Sequence, residues 1–251
     1  IKEMRKITTI IALLFFSVTT LVAQEKTVQY RPYIDLRTLH YGFLFGLQTQ
    51  DIEFENVGPQ IIQNADGTES TKTVVCDQDN WNPGFTVGVL AELRINTYIS
   101  LRVVPTMHFG VKHLTFHNLT DLTESGKPKE ETQNLKCTYL SIPVDIKYSA
   151  ERFNNYRPYI IAGINPMTNL TSSSQDFLAL KRFDPCVELG IGCDLYLPFF
   201  KLIPELKFVY GLSNTLDLEH SNMITDSSKL LYTRSVKSAH TKMIVLSFYF
   251  E

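Results

Sequence analysis

Past its first 23 residues the chain has no apolar run approaching 18 residues, so no segment suits a membrane-spanning helix. It also lacks a charge excess of either sign. Lys and Arg number 24 against 26 Asp and Glu, a formal net charge of −2, which excludes the basic footprint of a nucleic-acid binder. Cysteine is sparse, four in 251 residues, yet four in an exported chain would still invite disulfides. Cys186 and Cys193 fall on opposite faces of one predicted strand, roughly 23 Å apart at strand rise, and cannot pair. Cys76, Cys137 and Cys186 lie near predicted loop ends, where one bridge and four separate thiols both remain open. No sequence motif marks a nucleophile.

What is present begins with a leader. Lys2, Arg5 and Lys6 precede the apolar run Ile10–Phe16, and Leu21-Val-Ala-Gln24 reads as its exit. The pattern predicts a signal peptide over 1–23, starting at Met4 and cleaved after Ala23, and therefore an exported protein.

The second feature is alternation. In Lys242–Glu251, Ile244, Leu246, Phe248 and Phe250 share one face, and Met243, Val245, Ser247 and Tyr249 share the other. A strand that closes a barrel can use both faces, one against lipid and one in the lumen, with both edges paired. The same period of two recurs seven times upstream. The first strand puts Tyr41, Phe43, Phe45 and Leu47 outward, and the second Phe85, Val87, Val89, Ala91 and Leu93. The third presents Ile99, Leu101, Val103, Met107 and Phe109, and the fourth Leu140, Ile142, Val144, Ile146 and Tyr148. The fifth strand, Arg157–Asn165, has ambiguous facing. The sixth carries Val187, Leu189, Ile191, Cys193 and Leu195, and the seventh Leu202, Leu206, Phe208, Tyr210 and Leu212.

Long connections (50–82, 112–135, 169–181, 213–238) alternate strictly with short ones. The predicted fold is all-β: an eight-stranded antiparallel transmembrane β-barrel over 39–251, with long external loops and short periplasmic turns, in the outer membrane of a Gram-negative bacterium. A soluble sandwich would put polar residues on the outward face, which here is apolar. Pro105, Pro143 and Pro204 fall inside predicted strands and call for kinks or bulges. Aromatic residues near strand ends (Trp81, Phe109, Tyr148, Phe153, Tyr156, Phe199, Phe200) fit interfacial girdles.

The inward faces collect Glu92, Asp145, Glu188, Asp194 and Glu205 against Arg94, Arg102, Lys147 and Lys207, with His40 and His108. Eight strands enclose only enough space for side chains, so these charges should pair as a packed polar core and leave no channel. Other chemistry is thin. His108 with Ser100 or Glu92 makes no oriented nucleophile–base pair, so no enzyme is expected. His108, His113 and His117 run along a strand end, and Asp77–Asn80 lacks the glycine and closing glutamate of a calcium loop; neither metal nor cofactor is expected. Residues 24–38 form a polar periplasmic segment whose Tyr30, Tyr33, Ile34 and Leu36 suit docking under the barrel or on a partner.

Several stretches together resemble one family. They are Arg37–Gly46, Pro83–Gly88, Leu101–Pro105, Tyr139–Pro143, Arg157–Pro166 and Phe200–Lys207, with Gly211-Leu-Ser-Asn214. In this order they resemble the PorT (SprT) proteins, outer-membrane components of the type IX secretion system. The resemblance runs from about residue 37 to the end and includes the strand prolines. It implies a role in exporting proteins that carry C-terminal sorting domains. It also implies partners among the other outer-membrane and periplasmic components of that system, besides membrane lipid, and no catalytic residues. A filled lumen makes the expected role that of an accessory subunit, not a conduit. The alternative is a stand-alone barrel whose external loops bind a ligand or surface partner.

Overall fold

The computed structural model describes residues 28–63, 69–80, 82–122, 128–171, 178–217 and 231–251. The predicted leader and Trp81 lie outside them. Twelve strands make one antiparallel sheet: β1 (Leu39–Asn56), β2 (Pro59–Gln63), β3 (Glu69–Asn80), β4 (Pro83–Arg94), β5 (Ile99–Val103), β6 (Thr106–Leu122), β7 (Pro128–Ser141), β8 (Val144–Ser149), β9 (Tyr156–Asn169), β10 (Phe183–Tyr196), β11 (Lys201–Gly211) and β12 (Val236–Phe250).

The sheet closes on itself. β1 pairs with β4, β4 with β5 and β6, β5 with β8, and β8 and β7 with β9. From there β9 pairs with β10, β10 with β11, β11 with β12, and β12 with β1, so the ring has eight staves. Within the apolar band closure removes the edges of the sheet, which is what the apolar surroundings of a barrel demand. Two staves are double because proline interrupts them. The third breaks between β5 and β6 at Val104-Pro105, and the fourth between β7 and β8 at Ile142-Pro143. A proline has no N–H to give the ladder, yet its carbonyl still accepts: Val89 N–H donates to Pro105 O (3.0 Å) and Val104 N–H to Pro143 O (3.2 Å). Pro204 stays within β11, opposite Phe248.

Facing follows the period of two. Along β1, Tyr41, Phe43, Phe45 and Leu47 are exposed while Leu44 and Gln48 are buried. In β9 the facing is settled: Tyr159, Ile161, Asn165 and Met167 point inward, and Ile160 and Ile164 outward. Leu39 to Leu47 is nine residues, the length of a tilted bilayer-spanning strand. Above that level the outward face turns polar, at Thr49, Asp51 and Glu53 on β1 and at Lys242 and His240 on β12.

The expectation of polar loops over 50–82 and 112–135 is corrected. β1 runs on to Asn56, β2 and β3 form a hairpin, and β6 and β7 continue to Leu122 and from Pro128. The alternation persists there with its polarity inverted: Ile52, Val74, Cys76, Leu114, Phe116 and Leu135 point inward, as does the fully buried Lys112, and Asp51, Glu53, Asp77 and Lys136 point out. A reading tuned to greasy outward faces misses strands of that kind. These residues belong to one apolar cluster with Tyr139, Met167, Leu178, Leu216 and Tyr232, a core for the upper part of the barrel.

Candidate functional site

The lower lumen holds a network of buried charges. Arg102 (0% exposed) donates from Nε and Nη2 to Glu92 Oε2, at 3.1 and 2.8 Å, and from Nη1 to Glu205 Oε2 at 2.5 Å. Its guanidinium lies 5.2 Å from the ring centres of Tyr159 and Tyr249. Both tyrosine hydroxyls donate to Glu205, at 2.6 and 2.8 Å. Lys147 donates to both oxygens of Asp194, at 3.0 and 2.9 Å, and approaches Glu92 at 3.4 Å. Lys207 meets Glu188 at 2.7 Å, Asp145 at 3.3 Å and Glu205 at 3.4 Å. The strand period explains the assembly. Each of these residues is at an inward position of its stave, and register puts them at similar depth: Glu92 opposite Arg102, Arg102 opposite Asp145, Gly192 opposite Glu205.

Arg94 is not part of this network. It lies at the mouth formed by the short turns, half-buried, and donates to the Asp35 carbonyl at 3.1 Å. As the last residue of β4, it is too low to reach the lumen charges. The sequence reading missed Lys201 and Glu251, which pair at 2.8 Å, with His40 Nδ1 2.5 Å from Glu251 Oε1. Lys201 also approaches Asp194 at 3.6 Å, so this second cluster joins the first. Lys201 opens β11, before the apolar positions that define that strand's period, and Glu251 follows the last strand residue. Counting inward parity one step beyond each strand would have found both.

His108 faces the lumen, with Nδ1 2.7 Å from Gln48 Oε1 and 2.9 Å from Thr86 Oγ1, and Nε2 3.1 Å from Ser141 Oγ. Its neighbours are neither Ser100 nor Glu92. His113 and His117 point outward on β6, toward Asn134 and Glu130, so the three histidines do not converge. Among the described residues no group of three or more His, Cys, Asp or Glu is placed to hold a metal. None of the four cysteines forms a disulfide; Cys76, Cys137 and Cys186 are buried thiols of the upper core. A cavity of about 20 Å³ beside His108, Ser141, Asn165 and Glu188 has room for about one water. The lower lumen is therefore filled with paired side chains.

The N-terminal segment closes the short-turn mouth. A 3₁₀ turn at Ile34–Leu36 buries Ile34 (6% exposed). Asp35 accepts from the Tyr196 hydroxyl at 2.7 Å and pairs with Arg152 at 3.6 Å, and the Arg152 guanidinium stacks 3.6 Å from the centre of the Tyr196 ring. Asn155 clasps the segment, accepting from Tyr30 N–H and donating to Val28 O, both at 2.9 Å. Tyr33 and Leu36 remain exposed at 76% and 61%, with Tyr30 at 39%. Aromatic pairs ring the same end: Phe43 with Phe250, Phe200 with Phe250, Tyr98 with Tyr148, and Phe153 with Tyr156. Phe85 stacks on Phe109 near the upper rim of the apolar band.

No curated protein matches the chain. Among solved structures, OprG from Pseudomonas aeruginosa is similar at 13% identity and a TM-score of 0.46, over 84% of this chain and 93% of its own. Neisserial surface protein A (NspA) is similar at 12% identity and a TM-score of 0.39, over 85% and 98%. Ail of Yersinia pestis, solved with the heparin analogue sucrose octasulfate, is similar at 14% identity and a TM-score of 0.34, over 84% and 97%. A family model described as an outer membrane protein beta-barrel domain matches residues 22–217. That span is well over half of the chain, and the protein belongs to this outer-membrane β-barrel family.

Proposed function

We propose that this barrel is an accessory outer-membrane subunit of type IX protein secretion, supporting the export of proteins with C-terminal sorting domains without being their conduit. The observation that carries the second half is the filled lumen: Arg102, fully buried, is fixed between Glu92 and Glu205 across the bore. A polypeptide cannot pass an eight-stranded bore packed in this way. The first half rests on the motif series shared with the PorT (SprT) proteins.

In bacterial outer-membrane barrels the short turns face the periplasm. The closed mouth then presents Tyr33 and Leu36 to the periplasmic space. Ile34 is occupied by the barrel itself, so of the candidate docking residues Tyr33, Leu36 and the partly exposed Tyr30 are the ones offered to a periplasmic or outer-membrane partner.

The test is purification of the tagged protein from its native outer membrane in mild detergent, with a photo-crosslinker at position 33 or 36. Capture of other secretion components, together with loss of export on deletion, supports the proposal. A clean monomer with export unaffected by deletion refutes it. The alternative, a stand-alone barrel that binds through its external face, is favoured by one observation: β1, β3, β6 and β7 extend as a sheet above the apolar band.

A further inference from the structure

Closure removes the edges of the sheet within the apolar band, yet above it two edges face each other. The β1–β4 ladder ends at Thr49–Pro83. β1 continues to Asn56 with β12 on one side only, and β3 from Val74 to Asn80 is laddered to β6 on its far side. Among the described residues no ladder joins β1 to β3. Amide side chains bridge the seam instead. Asn56 donates from Nδ2 to Cys76 O at 3.2 Å and accepts from Cys76 N–H at 2.8 Å. Reciprocally, Gln78 donates from Nε2 to Gln50 O at 2.8 Å, and its Oε1 shares the Ile52 N–H, at 3.2 Å, with Asp51 Oδ1 at 2.8 Å. Each primary amide presents one donor and one acceptor to the opposite backbone, as one peptide group of an adjacent strand would.

A backbone edge satisfied by side chains can exchange them for the peptide groups of a strand. An edge is also the surface on which extended peptides add to a sheet. The flanks indicate what such a peptide carries. A cleft of about 450 Å³ opens along the seam, bordered by Asp51, Glu53, Asp77 and Lys242. The single lysine is already engaged by Glu53 at 2.7 Å. We propose that the β1–β3 seam is a strand-insertion site for an extended segment of a partner polypeptide, with lysine or arginine at alternate positions facing Asp51 and Asp77. Because β1 and β3 run in opposite directions, one inserted strand lies antiparallel to one edge and parallel to the other. The parallel ladder is only slightly the weaker of the two. The seam is above the apolar band, so the segment arrives from water. The inference does not depend on the secretion reading: loss of export on deletion and peptide binding in vitro succeed or fail separately.

The probe is a fluorescent decapeptide of alternating lysine and valine, added to the full chain in lipid nanodiscs. Saturable binding is expected, with hydrogen-exchange protection confined to residues 50–56 and 74–78. The same peptide N-methylated at alternate residues should lose binding, and a glutamate–valine peptide should not bind. Asn56→Ala with Gln78→Ala removes the built-in caps and should tighten binding by about tenfold, the worth of one or two net hydrogen bonds. Equal binding of the N-methylated peptide, protection elsewhere, or no binding to wild type overturns the proposal. Where the double variant does not fold, the exchange pattern of the wild type decides.

Discussion

Arg102→Ala is the most direct test of how the lumen holds the barrel together. The side chain is fully buried, spans two carboxylates with three hydrogen bonds, and lies between two tyrosine rings. Its removal leaves Glu92 and Glu205 in the bore with Lys147 and Lys207 as partners, both at 3.4 Å. Breaking a buried pair from one side typically costs about 3–5 kcal/mol, because a charge is left uncompensated. For a chain of this length each kcal/mol moves the melting midpoint by ~2–4 °C, so the midpoint should fall by roughly 6–20 °C. The measurement is unfolding of the protein in lipid vesicles, followed by loss of β-sheet circular dichroism and of the gel shift between folded and unfolded barrel. Arg102→Lys keeps the charge without the planar fork and should fall between wild type and alanine. A loss for Arg102→Ala below about 1 kcal/mol, the value of a solvent-exposed ion pair, would refute the idea that this pairing organises the lumen.

Three further outcomes are expected. Gly163→Ala drives a Cβ into Asp145 Oδ1 and the Val144 carbonyl, so the β8–β9 ladder must shift at a cost of about 1–3 kcal/mol, read as a lower unfolding midpoint. Arg152→Ala removes the ion pair to Asp35 and the stacking on Tyr196, so hydrogen exchange over residues 30–37 should accelerate while the barrel strands exchange unchanged. Above the apolar band, Lys72 beside Asp121 (2.5 Å) holds that carboxyl below its usual range. A carboxyl with a depressed folded pKa stabilises above its unfolded pKa, and that contribution is lost as pH falls through the lower folded value. Protease resistance of the β2–β3 hairpin should therefore drop under strongly acidic conditions, and Asp121→Asn should show part of that loss at neutral pH.

The eight staves were legible because lipid imposes the strictest pattern on the chain: alternate residues must be apolar, and Tyr41 to Leu47 or Ile244 to Phe250 show it without interruption. Most of the inward charges were legible by parity, though Arg94 lies at the mouth and Lys201 and Glu251 were missed. Which of them meet was not, since partnership depends on register across staves distant in sequence, as between Arg102 and Glu205, 103 residues apart. The prolines pointed to kinks, but only the pairing shows that two of them split their staves and the third does not. The mouth was half legible. Tyr30–Leu36 stood out as an aromatic segment in polar surroundings, while the clasp that holds it, Arg152 and Asn155, lies in a turn with no period to read.

The upper barrel was the hardest to see, because there the chain reverses the rule on which the lower reading depends. In the apolar band lipid replaces water outside, so burial of apolar groups between staves supplies little, and the interior is given to charges that satisfy one another. Above Leu47 and Ile244 water returns to the outer face, charged residues take most of it, and the interior becomes an apolar core of Ile52, Phe116, Leu135 and Tyr232, with one buried cation, Lys112, bonded to the Tyr139 hydroxyl at 3.1 Å. The two halves should then respond oppositely to truncation. Phe116 is fully buried, with its ring edge-on to Tyr232 at 5.6 Å. Phe116→Ala should cost about 3–5 kcal/mol, felt in the β3–β6–β7 extension. Phe45, 50% exposed on the lipid face, has no core to lose, and Phe45→Ala should leave the extension untouched. Hydrogen exchange of both variants in nanodiscs separates the cases. If Phe45→Ala loosens the extension as much as Phe116→Ala does, the barrel is one cooperative unit and the division at the membrane surface is wrong.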